Sequence, residues 1–406
     1  MVQAMNICMF GSSFLPRRGG MEFVIHHLSN ALVQEGQDVT VIAERTAWRG
    51  IGVAHDYDLI RYGVPTRGLR SLGLSGPGSL WAIWRRHRRA PFDILHDHDV
   101  SYAGCRAVRA KRLLGIPVVM TPHGEDIQRV PEIGYGMRLD SRWDAKIRRN
   151  LRYADAVTAI SLSVQNELDG VDPSKIVRIP NGVHIKDYGK RRSRYLRDRL
   201  GLGDDTVLIL SVGRNHVKKG YDYGIRAMAA LRDKHGANNV HYVIVGKQVS
   251  AHAGLVSQLS LDDRVTLIEE LQPREVTECY HSVDIFFSPS IIEGLSLVSI
   301  EALACGLPLV VTDVPGNEDV VRDTSAGVIV RSKDPEQMAQ GLIELVNDAG
   351  RREVLSGIAI AKAVDYDWRA VARRYAEVYR NVLAGRPAAF GLDQWHDLPS
   401  ENRHPY

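Results

Sequence analysis

With 406 residues, 44% hydrophobic and 25% charged, the chain is too long for one ordinary core and has a globular composition, so two domains are expected. A formal net charge of +4 excludes the strongly basic footprint of a dedicated nucleic-acid binder, and no nucleic-acid partner is expected. The four cysteines, Cys8, Cys105, Cys279 and Cys305, lie far apart within apolar runs, which excludes a zinc spacing or a redox pair and fits buried, reduced thiols.

The opening MVQAMNICMFGSSF has no basic region ahead of its short apolar run, so no secretory leader is expected. No segment reaches the roughly 18 apolar residues that span a bilayer, and a cytoplasmic location follows, with membrane contact at most peripheral. Asn6 to Phe10 reads as a strand ending at Gly11, after which Met21, Val24, Leu28 and Leu32 recur at helical spacing until Gly36 closes the helix. DVTVIA from Asp38, FDILH from Phe92, IPVVMT from Ile116, ADAVTAI and KIVRIP read as further strands. The alternation implies a parallel sheet. It restarts at Thr206 with TVLILSVG, a helix to about Lys234, then HYVIVG, RVTLI, DIFFSPS and PLVVTD, which implies a second doubly wound domain. The charged stretch KRRSRYLRDRL from Lys190 places the boundary near residues 183–205. From Gly385 the chain is polar, contains Pro387, Pro399 and Pro405 and lacks periodicity, so a disordered tail is expected.

Doubly wound sheets bind ligands outside the carboxyl ends of their strands, which directs attention to three loops. In GSSFLPRRGGMEF, Gly19 and Gly20 precede a helix and would let backbone N–H groups approach an anion; a tight turn that needs glycine regardless of ligand is the alternative. In SVGRNHVKKG, Arg214 and Lys219 follow a buried strand and can neutralise a diphosphate, solvated surface charge being the alternative. In SPSIIEGLSLVSIEALACGLPLVVTD, a helix starting after Glu293 and Gly294 would carry Glu301 about two turns along. Helical throughout, that separation is roughly 12 Å, comparable with the distance between the two sugars of a nucleotide-sugar. One carboxylate would address each end, while the N–H groups of Gly294, Leu295, Ser296 and Leu297 bind the anionic middle. Capping by Glu293 and an exposed Glu301 are the alternative, and the apolar neighbours Ile300, Ala302, Leu303 and Ala304 speak against it.

The segments PRRGGMEF, MTPHGED, IPNGV, VGRNHVKKG, the Glu293 to Glu301 pair and ACGLPLVVT, in this order, resemble glycosyltransferase family 4, the retaining enzymes of the GT-B fold. The likeness covers nearly the whole chain. It implies an α/β GT-B architecture, two Rossmann-like doubly wound domains facing a central cleft. Residues 1–185 would form the acceptor domain and 186–365 the nucleotide-sugar domain. Residues 366–384 would form a helix crossing back to the first domain, with 385–406 as the tail. The implied reaction moves a hexosyl or N-acetylhexosaminyl group from a UDP- or GDP-linked donor to an acceptor hydroxyl of a glycan, glycolipid or small-molecule glycoside, with no cofactor and no metal. By the same resemblance Gly20 faces the donor phosphates and His123 lies beside the transferred sugar. Glu293 would bind sugar hydroxyls, Glu301 the ribose, and Arg214 and Lys219 the diphosphate. Same-face attack, with the leaving phosphate taking the acceptor proton, needs no enzymic base, so stabilising the departing charge becomes the main catalytic task.

The chain departs from the family pattern at Lys247 and Gln248, where another glycine is frequent, at His184 in place of an aspartate, and at Ser296 in place of a glycine. HDHD at His96 to Asp99 contains the Asp-x-Asp of metal-dependent glycosyltransferases, a short pattern that recurs at Asp56 and Asp365. WAIWRRHRRA from Trp81 sets two tryptophans beside Arg85, Arg86, Arg88 and Arg89 and would suit an anionic membrane, unless the tryptophans pack in the core. Acceptor contacts are expected from Tyr62 to Gly78 and Glu125 to Arg142. A sugar-nucleotide epimerase and a non-catalytic nucleotide-sugar-binding module are the alternative functions.

Overall fold

The computed structural model describes residues 4–15, 19–45, 54–63 and 76–392. It divides into two compact units, one of residues 1–182 with 368–406 and one of residues 183–367. The first unit holds a seven-stranded sheet of β1 (Asn6–Phe10), β2 (Asp38–Glu44), β3 (Asp58–Tyr62), β4 (Ile94–Asp97), β5 (Val118–Met120), β6 (Ala156–Ala159) and β7 (Ile176–Arg178). Its order is β3-β2-β1-β4-β5-β6-β7, every pairing parallel. The second unit holds β8 (Val207–Val212), β9 (Val240–Val245), β10 (Val265–Ile268), β11 (Ile285–Ser288), β12 (Leu309–Thr312) and β13 (Gly327–Val330), ordered β10-β9-β8-β11-β12-β13 and again parallel throughout. Both sheets have the strand order of a doubly wound dinucleotide-type fold, reversing direction between β1 and β4 and between β8 and β11. Continuous apolar runs such as Val207 to Leu210 and Ile285 to Phe287 are buried on both faces, as parallel strands between helices must be. β3 and β13 are not evident from the sequence; both are outer strands in which only the last residue, Tyr62 or Val330, is buried.

The helix Trp368–Leu383 belongs to the first unit, where Trp368, Val371, Tyr375 and Tyr379 complete the core built by Ile7, Met9, Val24 and Leu28. Glycine is required at Gly182, because a Cβ there would lie 2.6 Å from the Trp368 indole. Glu35 accepts hydrogen bonds from Arg373 and Arg369, whose guanidinium groups hold its carboxyl below the usual range. The expectation of a structureless tail from Gly385 is corrected for residues 385–392. Ala388 is buried, its N–H donates to the Ser174 carbonyl, and the Asn381 amide donates to the carbonyls of Ala388 and Phe390. A buried helix-end asparagine thus fastens a segment whose composition reads as solvated. Residues 393–406 lie outside the described residues. No helix among the described residues is long and apolar enough to cross a membrane.

Candidate active site

In the second unit the strand order reverses between β8 and β11, the position at which a doubly wound sheet opens a ligand crevice. The loops after these strands are fastened together: the Ile291 N–H donates to the Lys218 carbonyl at 2.6 Å. Gly220 sits at the crossing with φ +62°, and a Cβ there would stand 2.1 Å from the Pro289 carbonyl oxygen, so only glycine lets the loops approach this closely. This contact sets Lys219 Nζ 2.7 Å from Glu293 Oε1, with Lys218 Nζ 3.4 Å from Oε2 and the Ser290 hydroxyl donating at 3.1 Å. Glu293 is buried; burial works to raise its pKa, but Lys219 and Lys218 outweigh it and hold the carboxyl below the usual range. Arg214, in the same loop as Lys219, is exposed, and among the described residues no hydrogen bond or ion pair engages its side chain.

Glu301 is half-buried and accepts a hydrogen bond from Tyr280 Oη at 2.7 Å and another from Tyr188. Burial pushes its pKa up, opposed by the two tyrosines and by the field of Lys219. Lys219 therefore acts on both carboxylates that the sequence pairs.

The helix itself differs from expectation. It spans Leu297–Ala304 with Ser296 as N-cap, so Glu293 to Leu295 are loop and the 12 Å estimate, which assumed helix from Glu293, does not hold. The Ser296 N–H, one of the four expected to bind an anion, donates instead to the Gly316 carbonyl, and the Glu293 N–H donates to that of Pro315. Gly294 and Leu295 are buried beside them, and Leu297, at the first helical position, keeps the orphan N–H of any helix start. The cause is the loop after β12, whose composition carries no hint of a role. Gly316 has φ +75°, and a Cβ there would lie 2.1 Å from the Glu293 carbonyl. Behind it, buried Asn317 donates to the Ser288 carbonyl and to Thr312 Oγ1, both at 2.9 Å, and accepts from the Ser288 hydroxyl. The ends of β11 and β12 are locked together, and that lock holds the Glu293 loop out of the helix.

At the departure from the family pattern, Gln248 adopts φ +65°, a left-handed conformation that costs a non-glycine residue about 1 kcal/mol. Glu269 holds it there by accepting the N–H groups of Gln248 and Ser250 at 2.7 and 2.9 Å.

In the first unit Gly19 is the extended N-cap and Gly20 the first residue of the helix Gly20–Gln34. The buried Glu22 carboxylate lies against Gly19, where a Cβ would meet Glu22 Oε2 at 2.5 Å, and it accepts from the Ser13 hydroxyl. The loop expected to receive an anion thus already holds a carboxylate of the chain. Residues 16–18 of PRRGGMEF lie outside the described residues. His123 follows β5; its Nε2 lies 3.0 Å from His98 Nδ1, and its N–H donates to Asp126 Oδ1 at 2.9 Å. Burial pushes the His123 imidazole down to about 3, so it is neutral and unsuited to carrying a positive charge. Asp126 also accepts the Gly124 and Val100 N–H groups, and burial, aided by Asp99, pushes its pKa up to about 7.

The HDHD segment is buried. His96 bridges Tyr379 Oη and Thr121 Oγ1, each at 2.7 Å, and Asp99 accepts from the Ser101 backbone and hydroxyl. Among the described residues no three His, Cys, Asp or Glu side chains gather in a way that could hold a metal ion. Of the expected acceptor loops, residues 64–75 lie outside the described residues. Glu125 to Arg142 contains two short 3₁₀ turns and buried Arg138, which pairs with Asp144 at 2.6 Å.

Residues 18–187 match the family model described as Glycosyltransferase Family 4, and residues 193–361 match that described as Glycosyl transferases group 1. The chain belongs to glycosyltransferase family 4. Among relatives of this glycosyltransferase, the D-inositol 3-phosphate glycosyltransferase of Kineococcus radiotolerans is 27% identical, covering 92% of this chain and 93% of its own. An uncharacterised glycosyltransferase of Methanocaldococcus jannaschii is also 27% identical, over 93% and 99%. The fold is that of solved GT-B enzymes. Sucrose-phosphate synthase from Thermosynechococcus elongatus superposes with a TM-score of 0.78 at 20% identity, over 94% of this chain and 100% of that one. Anabaena HepE in complex with UDP-glucose gives 0.73 at 18% identity, over 92% and 99%. The glycosyltransferase reading is thereby favoured over the epimerase and the non-catalytic module.

Proposed function

We propose that this glycosyltransferase moves a hexosyl or N-acetylhexosaminyl group from a UDP- or GDP-linked donor to an acceptor hydroxyl, with retention at the anomeric carbon and with no metal or cofactor. The observation that carries the reading is Lys219 acting on both Glu293 and Glu301 at the switch point, with exposed Arg214 in the same loop. A diphosphate arriving there meets two cations, the neutralisation that a metal ion would otherwise supply. It also competes with Glu293 for the Lys219 ammonium. Glu293, kept ionised, then turns its acceptor oxygens to sugar hydroxyls, while Glu301, oriented by Tyr280 and Tyr188, accepts from the ribose.

As the glycosidic bond breaks, the leaving phosphate gains negative charge, which Lys219, Arg214 and the orphan N–H at Leu297 stabilise. The same phosphate oxygen takes the acceptor proton. His123, being neutral, donates or accepts a hydrogen bond to a sugar hydroxyl as a positioning residue. The likeness to a structure solved with UDP-glucose supports a uridine donor and a glucosyl group as the first to test. The names of the relatives make a phosphorylated polyol the first acceptor to try.

Thermal shifts with UDP, GDP, ADP and their sugars identify the donor, and nucleoside diphosphate release with and without acceptor measures transfer. A melting temperature unmoved by every nucleotide would remove the donor assignment. An inverted anomeric signal in the product's NMR spectrum would remove retention.

A further inference from the structure

Three helices of the first unit adjoin: Gly76–His87 packs on Tyr102–Leu114, which packs on Ser141–Tyr153. They carry two, four and five Lys or Arg residues respectively against a single carboxylate, Asp144, which Arg138 and Arg148 engage. In a chain whose formal net charge is only +4, cationic charge is therefore concentrated on this face. The exposed positions fall at helical spacing on each member. Trp81, Trp84, Arg85 and Arg88 form a stripe along and just past the first helix. Tyr102, Arg109, Arg112 and Leu113 form one on the second, and Arg142, Lys146, Arg149 and Tyr153 one on the third. Apolar exposure accompanies the charge: Trp81 is 53%, Trp84 46%, Tyr102 56% and Leu113 71% exposed. Among the described residues, every tryptophan and tyrosine that is exposed lies on these helices. The reading in which Trp81 and Trp84 pack in the core is thus corrected. Their outward faces instead carry guanidinium groups, Arg85 at 5.1 Å from the Trp81 ring centre and Arg88 at 6.0 Å from that of Trp84.

We propose that these three helices form a docking surface for an anionic lipid bilayer. Charge alone would suit any polyanion. Tryptophan, tyrosine and leucine interleaved with arginine choose the bilayer, because aromatic rings settle at the headgroup level while guanidinium groups meet the lipid phosphates. The surface extends the single segment around Trp81 that the sequence shows to three elements distant in the chain. It is independent of the donor assignment, since it uses none of the residues around Lys219 and its test involves no nucleotide.

The test is co-sedimentation of the full chain with vesicles of phosphatidylcholine alone and of phosphatidylcholine with about one-third phosphatidylglycerol. Binding to the anionic vesicles should be at least about tenfold tighter and should fall as salt is raised. Trp81→Ala/Trp84→Ala should weaken it on anionic vesicles, as should Arg109→Glu/Arg112→Glu/Lys146→Glu on the other two helices. The milder Arg109→Gln/Arg112→Gln/Lys146→Gln set provides the comparison if charge reversal impairs folding. Equal binding to both vesicle types, no binding to either, or variants that bind like the wild type would overturn the proposal. So would a duplex oligonucleotide that binds in preference to the anionic vesicles.

Discussion

Lys219 Nζ lies 2.7 Å from Glu293 Oε1, and this ion pair keeps a buried carboxylate charged at the mouth of the second sheet. Its two members come from loops after different strands, and they meet because Gly220 and Pro289 touch.

Removing the ammonium has two consequences. Lys219→Ala should weaken donor binding or turnover by about 1.5–3 kcal/mol, about tenfold to more than a hundredfold, through loss of a charge-assisted contact. It also removes the strongest of the effects that oppose burial, leaving Lys218 and the Ser290 hydroxyl, so the Glu293 carboxyl pKa rises. Activity that needs this carboxylate ionised is then lost at a higher pH on acidification than in the wild type. Steady-state rates from acid to neutral pH would show the shift; an acid limb left in place with unchanged turnover contradicts the assignment.

The two glutamates should separate by ligand. Glu301→Gln should weaken binding of the free nucleoside diphosphate and of the intact donor alike, whereas Glu293→Gln should act mainly on the intact donor. Tyr280→Phe should resemble a mild Glu301 variant, costing about 0.5–1.5 kcal/mol of nucleotide affinity by removing the donor at 2.7 Å. Calorimetric titration with both ligands measures this, and identical profiles for the two glutamine variants would refute the division.

Gly220 and Gly236 share a left-handed backbone, φ +62° and +60°, yet their surroundings differ. A Cβ on Gly236 meets nothing within 4 Å, so Gly236→Ala should cost only about 1 kcal/mol. Gly220→Ala adds a clash with the Pro289 carbonyl and should cost well over ~2 kcal/mol while pushing the Lys219 loop off the Glu293 loop. Chemical denaturation compares the pair, and equal losses would mean the loops do not depend on this contact.

The first unit should lose stability on acidification. Burial lowers the pKa of His96 and His123 to about 3 and that of His98 well below normal, so below about pH 6.5 the unfolded chain binds protons that the folded one refuses. Each contributes up to ~1.4 kcal/mol per pH unit of loss as pH falls from there. Asp97 and Asp126 act oppositely: with raised pKa values they bind protons more tightly when folded and lower stability as pH rises. Three imidazoles outweigh two carboxyls on the acid side and titrate out near pH 6.5, so stability should peak near there. Calorimetric melting from pH 5 to 8 tests this, and His98→Gln should flatten the acid limb.

The sequence by itself determined the two parallel sheets, because runs such as Val207 to Val212 and Val240 to Val245 alternate with helical spacing, and period and burial are local properties. It also singled out Arg214 and Lys219, cations that follow a buried strand, and Glu293 and Glu301, carboxylates set among apolar residues, since charged groups in such places need a reason to be there. What it left undecided depends on elements distant in the chain. Only the tertiary structure set Lys219 on Glu293 through Gly220, held the Glu293 loop out of the helix with Gly316 and Asn317, placed Glu22 at Gly19 and turned Trp81 and Trp84 outward. Each is settled by close approach between separate segments, and close approach is a property of packing that no single stretch of residues carries.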